Sequence, residues 1–398
     1  MSGLDFSRAN KVLQHLIDQQ LLPGACAAVS LNGELIDLFC AGMADIERGE
    51  PLRRDHIHRA FSNTKLMTSV LALMFVDDGA LALDAPVANW IPALAKLRVM
   101  RPGAASIADT EPLREPITVR HLLSHQAGFS HGVFDIGTPI YDAYLAVGAR
   151  SHDSSLAQLM DKLAGLPLLF QPGQGWTYSL ATDVLARLCE LVGGAPFGEL
   201  LQRRLFCPLG MVDSGFVLRP DQAPRLAALY RGDANNPLLS GLKRLDNTPW
   251  PGAYLEAVAR QSGAGGAFST LDDMLALLGA LRPGPQAILK PGTLAGLYAD
   301  QLPAERCVGF PASGAIPSMG FSLAGAITRE ASALAPAAAV GELQWGGLAG
   351  THWFISPSTG LSGVLMTQRF MGFWHPLWFQ YKRRLYEALG QAQGQAPG

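Results

Sequence analysis

The feature that most constrains the fold is an apolar stretch at residues 66–76, LMTSVLALMFV, in which only Thr68 and Ser69 are polar. In a helix over residues 64–78, apolar side chains would occupy almost every face, and Gly79 is a natural residue to end it. Such a helix has to be buried inside a larger structure. It is also well short of the roughly 20 apolar residues that span a bilayer. The stretch therefore predicts a central buried helix and no membrane span.

The composition is that of a large, soluble, globular protein. Its 398 residues are 48% hydrophobic and 16% charged, enough apolar surface for a core larger than one typical domain. The net charge of −2 provides no cationic field, which argues against a nucleic-acid partner. A signal peptide would need an apolar segment near the N-terminus, but this region carries Asp5, Arg8, Lys11, His15 and Asp18. We therefore predict a cytoplasmic protein.

The cysteines indicate neither a disulfide framework nor a metal site. They are five in number and widely spaced, at Cys26, Cys40, Cys189, Cys207 and Cys307. Because each lies among apolar residues and no CxxC pair occurs, we predict buried thiols. No metal or organic cofactor is expected, since phosphate and dinucleotide loops and the HExxH motif are also absent.

The order of predicted elements indicates an α/β protein with a helical insertion. A helix at residues 11–20 precedes a β-hairpin, 25–31 and 34–40, around Asn32-Gly33. Further helices are predicted at 119–124, 154–163, 181–192, 197–205, 269–281 and 376–389, and strand-like segments at 320–327, 341–345, 352–355 and 361–368. We predict an α/β domain from residues 1–85 and 255–398, and an all-helical domain from residues 86–254.

A Ser-x-x-Lys pattern at Ser62 and Lys65 is the strongest candidate for chemistry. The tetrapeptide is a weak signal by itself, and a second copy at Ser240 and Lys243 lies in a polar stretch typical of a solvated loop. Ser62, however, opens the apolar helix, so Lys65 lies on the same helix face one turn later. A structural interpretation is an N-cap serine beside a buried lysine stem, but a lysine in so apolar a helix is costly without a purpose.

Two further segments contain residues that could join this pair. Tyr178 follows a turn-rich loop, and a phenolate stabilised by a nearby lysine cation can take a serine's proton and return it to a leaving group. Trp345-Gly346-Gly347 ends a predicted strand, where small residues permit a ligand to approach the backbone. Taken alone, Tyr178 is also typical of a packing aromatic, and the glycine pair is typical of a β-bulge.

Taken together, these segments resemble the serine β-lactamase and penicillin-binding-protein superfamily, most closely the family VIII carboxylesterases that are similar to class C β-lactamases. The likeness spans nearly the whole chain. Its motifs lie at residues 23–25, 61–65, 81–86, 120–128, 172–173, 178–179, 263–274 and 345–347. The resemblance implies a β-lactamase/transpeptidase-like fold, with an antiparallel sheet flanked by helices plus the inserted helical domain.

The resemblance also implies roles for individual residues. Ser62 would be the acylated nucleophile, Lys65 and Tyr178 would share the base and acid work, and the backbone N–H groups of Ser62 and Leu348 would form the oxyanion hole. Trp345, Gly346 and Gly347 would contact the substrate. His131 falls where relatives place an aromatic residue at the rim of the pocket, so it is a further substrate-binding candidate.

Departures from the β-lactamase pattern bear on the substrate. The Tyr-x-Asn and Lys-Thr-Gly motifs of those enzymes are replaced here by Tyr178-Ser179-Leu180 and Trp345-Gly346-Gly347. Without the polar anchors for a β-lactam, small and mostly uncharged carboxylic esters fit better. An aromatic cluster at residues 370–378 has three interpretations: acyl pocket, core or association surface.

The predicted function is therefore that of a serine carboxylesterase. The alternatives are an acyltransferase to an alcohol or amine, a weak β-lactamase or D-amino peptidase, and a non-catalytic binding module. The predicted partner is a small-molecule ester, and the sequence leaves the oligomeric state open.

Overall fold

The computed structural model of the protein describes residues 4–232, 240–245, 252–311 and 314–394. Its α-helices are α1 Ser7–Asp18, α2 Thr64–Asp77, α3 Val119–Leu123, α4 Pro139–Ala146, α5 Leu156–Ala164, α6 Ala181–Gly193, α7 Phe197–Leu201, α8 Cys207–Leu209, α9 Leu271–Ala280, α10 Pro291–Leu297 and α11 Leu377–Gly394. The strands of its main sheet are β1 Gly24–Leu31, β2 Glu34–Asp45, β3 Glu50–Pro51, β4 Met319–Phe321, β5 Ala326–Thr328, β6 Leu343–Gly346, β7 His352–Ile355 and β8 Leu361–Thr367.

The two ends of the chain build one antiparallel sheet, as predicted. Its eight strands run in the order β4-β5-β6-β7-β8-β1-β2-β3, and each neighbouring pair is antiparallel. The N-terminal strand β1 pairs with β8, so that Ala25 lies opposite Thr367. This pairing joins the N-terminal strands of the sheet to its C-terminal strands. It places residues that are more than 300 positions apart in the sequence side by side.

Helices cover both faces of this sheet. Ala25, Ala27 and Val29 of β1 pack in one apolar cluster with residues of α1 and α11. The alternate residues, Cys26 and Ala28, belong to the larger cluster that contains α2, α6 and α9. This alternation follows from the two-residue period of a strand.

The predicted central helix is confirmed. Helix α2 is buried along almost its whole length, with Leu66, Met67, Val70 and Leu71 all inaccessible to solvent. It packs against α6, and Gly79 beyond its end has a φ of +75°, as expected for a glycine that terminates a helix. The apolar sequence thus fixes α2 in the core, and Ser62 lies in the turn immediately before this helix.

The strand-like segment predicted at residues 320–327 is two strands, β4 and β5. The Ser322 amide donates to the Gly325 carbonyl oxygen at 2.7 Å, and the Ser322 hydroxyl accepts from the amides of Ala324 and Gly325. These bonds close a tight turn. A side chain that bonds to nearby backbone in this way interrupts a strand without any break in hydropathy.

The region from residue 86 to 254 contains helices α3 to α8, in agreement with the helical prediction. It also contains two short ladders that the prediction lacked. Arg98–Met100 pairs with Thr110–Pro112, and Tyr230–Arg231 pairs with Lys243–Arg244. Strands of two or three residues are too short to show a two-residue hydropathy period. The domain boundaries at 85/86 and 254/255 stay a prediction.

The prediction of five buried thiols is confirmed for Cys189 and wrong for the other four cysteines. Cys26 and Cys40 form a disulfide, Cys207 is exposed, and Cys307 is partly buried. The hairpin register places Cys26 of β1 directly opposite Cys40 of β2, an arrangement that their spacing in the sequence does not reveal. Disulfides are typical of oxidising compartments, so this one gives the predicted cytoplasmic location no support. That location stays a prediction. Within the described residues, no helix is both long and apolar enough to cross a membrane.

Candidate active site

Ser62 lies in a single 3₁₀ turn, Phe61–Asn63, that leads directly into α2. Phe61 has a φ of +45°, in the left-handed region that residues other than glycine rarely adopt. The Thr64 hydroxyl donates to the Phe61 carbonyl oxygen at 2.7 Å and accepts from the Ala267 amide at 3.1 Å. These bonds hold the turn in its strained form, with the partly exposed serine at its tip.

Gly347 lies against this turn from the side of the sheet. A Cβ at position 347 would overlap the carbonyl oxygen of Ala60, the hydroxyl of Thr351 and the Cβ of Phe61. Gly347 therefore lets the end of β6 approach the backbone beside Ser62. The sequence predicts that a ligand can approach the backbone at this glycine pair. In the structure, the chain's own backbone approaches Gly347, whereas Gly346 lines the cavity in front of Ser62.

Lys65 is buried beneath the serine. Its Nζ donates to the Ala264 carbonyl oxygen at 2.6 Å and lies 4.4 Å from the centre of the Tyr178 ring. The Ala264 segment is held in turn by Asp183, which accepts from the Ala264 amide at 3.0 Å and from the Ser262 hydroxyl at 2.8 Å. The lysine cation is thus balanced by a carbonyl dipole and an aromatic face.

Tyr178 connects the lysine to the substrate-facing side of the site. Its hydroxyl accepts from Trp345 Nε1 at 3.3 Å, and its ring stacks on His131 at 5.2 Å between centroids, with 17° between the planes. Among the hydrogen bonds of the described residues, none joins the Ser62 hydroxyl to Lys65 or Tyr178. Catalytic hydrogen bonds are often long before substrate binds, so proximity is the relevant observation.

Two histidines beside Tyr178 are held in the neutral form. Withdrawal from solvent, reinforced by the nearby Lys65 charge, puts the pKa of His125 and of His131 well below the usual value. His125 Nδ1 shares a hydrogen bond with the Ser179 hydroxyl at 3.1 Å. These imidazoles therefore add no positive charge to the site at neutral pH.

A cavity of about 290 Å³ opens in front of Ser62. It is lined by six of the residues predicted from the sequence: Ser62, His131, Tyr178, Trp345, Gly346 and Leu348. Phe370 and Phe373 of the late aromatic cluster also line it, whereas Trp378 is buried in the core below the sheet. The pocket interpretation of that cluster therefore holds for Phe370 and Phe373, and the core interpretation holds for Trp378.

The sequence prediction missed other residues that line the cavity. The aromatic Phe134 and Phe310 lie beside the Tyr178 ring, each with its ring centre 5.8 Å away. The polar residues that were missed are Arg150, His152, Asp183, Arg260 and Ser262. No motif marks these residues, since they come from separate loops and helices. One feature of the sequence could have indicated them: a charged residue within an apolar segment, such as Asp183 in α6, is costly to bury without a partner.

Comparison with known proteins identifies the family of the chain. The Beta-lactamase family model matches residues 9–378. Esterase EstB from Burkholderia gladioli is 33% identical over 376 residues, covering 91% of this chain and 90% of its own. A lovastatin esterase from Penicillium rubens is 30% identical, covering 88% and 90%.

Solved structures agree with the fold. The structure described as EstCE1, a hydrolase with promiscuous acyltransferase activity, superposes with a TM-score of 0.78 at 27% identity, covering 96% of this chain and 98% of that one. The predicted resemblance is therefore confirmed, and the chain belongs to the β-lactamase family.

Proposed function

We propose that this protein is a serine hydrolase that cleaves carboxylic esters of small, mostly uncharged substrates through an acyl-enzyme on Ser62. One observation carries the proposal: Ser62 and Tyr178 line the same cavity, and the Lys65 side-chain nitrogen lies against the Tyr178 ring. The esterase relatives support the same class of reaction.

In the acylation step, Ser62 Oγ forms a bond to the ester carbonyl carbon as the carbonyl π bond opens. The serine proton passes to the Tyr178/Lys65 pair in its singly deprotonated form, a Tyr178 phenolate beside the Lys65 ammonium or a Tyr178 phenol beside a neutral Lys65 amine. The carbonyl oxygen becomes an oxyanion beside the backbone amides of Ser62 and Leu348. Neither amide donates to a backbone oxygen within the described residues, so both are available. The start of α2 adds positive dipole at the same place.

The tetrahedral intermediate then expels the alcohol, which takes the proton from the pair. Water then attacks the acyl-serine carbonyl carbon and loses a proton to the pair. The pair returns this proton to Ser62 Oγ as its bond to the acyl carbon breaks, which releases the carboxylic acid and regenerates the free enzyme. Trp345 supports the pair, because its indole N–H donates to the phenol oxygen. No step requires a histidine.

The decisive experiment compares Ser62→Ala with wild type on a short p-nitrophenyl ester. We expect kcat to fall about a thousandfold or more, with loss of labelling by a fluorophosphonate. Ser240→Ala, which alters the exposed serine of the second Ser-x-x-Lys pattern, should change neither. Retained hydrolysis in Ser62→Ala would refute the proposal, and a folded wild type without any label would favour a non-catalytic binding module.

Acyl transfer to an alcohol or amine is the alternative, and it shares every step up to deacylation. It is favoured by the EstCE1 likeness, since that hydrolase is described as having promiscuous acyltransferase activity. Product analysis with added alcohols separates the two, because a transferase yields the new ester in preference to the acid. A weak β-lactamase or D-amino peptidase would be detected with nitrocefin or D-alanyl peptides, and we expect slow turnover at most.

A further inference from the structure

The cavity is also lined by charged and basic residues that the proposed reaction does not use. The basic residues are Arg150, His152 and Arg260, and the acidic residue is Asp183. A charged side chain that lines a substrate cavity can pair with a charge on the ligand where no protein group already pairs with it.

Three of these four residues have partners in the protein. Asp183 accepts hydrogen bonds from Ser262 and Ala264. Arg260 donates to the carbonyl oxygens of Ser154, at 3.0 Å, and Ala149, at 2.6 Å, and to the Ser154 hydroxyl, so it holds the loop between α4 and α5. His152 Nε2 lies 3.2 Å from a carboxylate oxygen of Asp153.

Arg150 differs from these residues. Within the described part of the chain, its guanidinium donates one long hydrogen bond, to the Gly132 carbonyl oxygen at 3.4 Å, and forms no salt bridge with an acidic side chain. Most of its five N–H donors are therefore left for a ligand. The Arg150 side chain is exposed where it lines the cavity, so a ligand in the cavity can reach its open donors.

We propose that Arg150 is a specificity residue that binds a carboxylate on the substrate, remote from the ester group that reacts at Ser62. The planar guanidinium fork matches a carboxylate in a bidentate arrangement, which gives both strength and orientation. The aromatic residues that line the cavity would take the uncharged remainder of the molecule. This inference rests on the proposed esterase function and narrows its substrate class.

The test uses esters that differ only in one carboxylate. One pair is 4-nitrophenyl hydrogen suberate and 4-nitrophenyl octanoate, with the charge on the acyl chain. The other is 4-butyryloxybenzoate and 4-butyryloxybenzamide, with the charge on the leaving group. In wild type, we expect the carboxylate member of at least one pair to have the lower KM.

The variant Arg150→Met keeps the aliphatic stem and removes the charge. We expect kcat/KM for the preferred carboxylate ester to fall about tenfold or more, mainly through KM, while the neutral ester changes less than about twofold. Arg150→Lys should recover part of the loss. Arg203→Met, at an arginine that does not line the cavity, should leave both esters unchanged.

The outcomes separate this inference from the proposed function. If wild type cleaves the neutral esters but shows no preference for a carboxylate, or if Arg150→Met leaves that preference intact, the inference is refuted while the esterase function stands. If neither member of either pair is cleaved in a Ser62-dependent manner, the proposed function itself fails.

Discussion

Phe61 shows how much of the site depends on one backbone conformation. Its φ of +45° costs on the order of 1–3 kcal/mol for a residue with a side chain. The Phe61 ring packs with Leu229 and Ala349, so burial offsets the strain. The strain places Ser62 at the tip of a turn, where its hydroxyl faces the cavity and not the core.

Gly347→Ala tests how closely the sheet must approach this turn. The added Cβ would overlap the Ala60 carbonyl oxygen and Thr351, so the turn that holds Ser62 has to shift. We expect kcat/KM on a p-nitrophenyl ester to fall about a hundredfold, as displacements near 1 Å do at catalytic groups. Gly279→Ala is the matched control, because nothing lies within 4 Å of its added Cβ. Equal activity of the two variants would contradict the prediction.

Trp345→Phe tests the hydrogen bond to the Tyr178 hydroxyl. The change keeps an aromatic wall but removes the Nε1–H donor at 3.3 Å. Since one such bond is worth about 1 kcal/mol, we expect kcat to fall about fivefold with circular dichroism unchanged. An unaltered kcat would show that the indole serves only as a surface of the pocket.

At the scale of elements, the helices followed the sequence patterns best. Helix α9 begins where predicted, because the Thr270 hydroxyl accepts a hydrogen bond from the Asp273 amide as an N-cap. The hairpin of β1 and β2 also agrees, with Asn32 and Gly33 both at positive φ. These signals act within a few residues, so the chain carries them locally.

The Cys26–Cys40 disulfide belongs to this scale, since it joins two strands of one hairpin. Titration of the unfolded protein without reductant should find three free thiols among the five cysteines. The disulfide closes a loop of 14 residues, so we expect Cys40→Ala to lower the free energy of unfolding by about 3 kcal/mol. Cys207→Ala, at an exposed thiol, should leave it unchanged. Five reactive thiols would refute the disulfide.

The pH dependence of stability concerns the whole molecule. Burial raises the pKa of Asp273 from 3.8 to about 6, against the opposing hydrogen bonds of Ser214 and Asp213. The folded state therefore holds this proton more tightly than the unfolded state. The stabilisation from protonated Asp273 is fully present below about pH 4 and is lost as the pH rises to about 6. The free energy of unfolding falls by about 3 kcal/mol over this range.

Asp273→Asn isolates this effect. The amide cannot ionise, so the variant should gain stability relative to wild type as the pH rises from 4 to 6. Denaturant titrations at several pH values measure the difference, with the exposed Asp161→Asn as the control for loss of one carboxylate. A difference that does not change with pH would contradict the prediction.

Buried histidines act in the opposite direction. Burial lowers the pKa of His58 and of His352 from 6.5 to about 3, so both must stay neutral in the folded protein. Their contribution to stability is lost as the pH falls below 6.5. The comparison of Asp273→Asn with wild type cancels this background, because both proteins contain the same histidines.

The amino-acid sequence alone determined the buried helix, the Ser62/Lys65 spacing along it, the hairpin and the helical middle of the chain. Each depends on hydropathy periods, turn residues or a motif, and these physical signals operate within one or two turns of backbone. The resemblance drawn from them was sufficient to identify the β-lactamase family.

Only the tertiary structure decided which distant residues meet. It brought Arg150 and Arg260 to the cavity, put Gly347 against the turn of Ser62, joined Cys26 to Cys40 and stacked His131 on Tyr178. Such contacts arise from strand register and from the packing of separate helices. No local pattern records them, because each partner taken alone is an ordinary residue in its own segment.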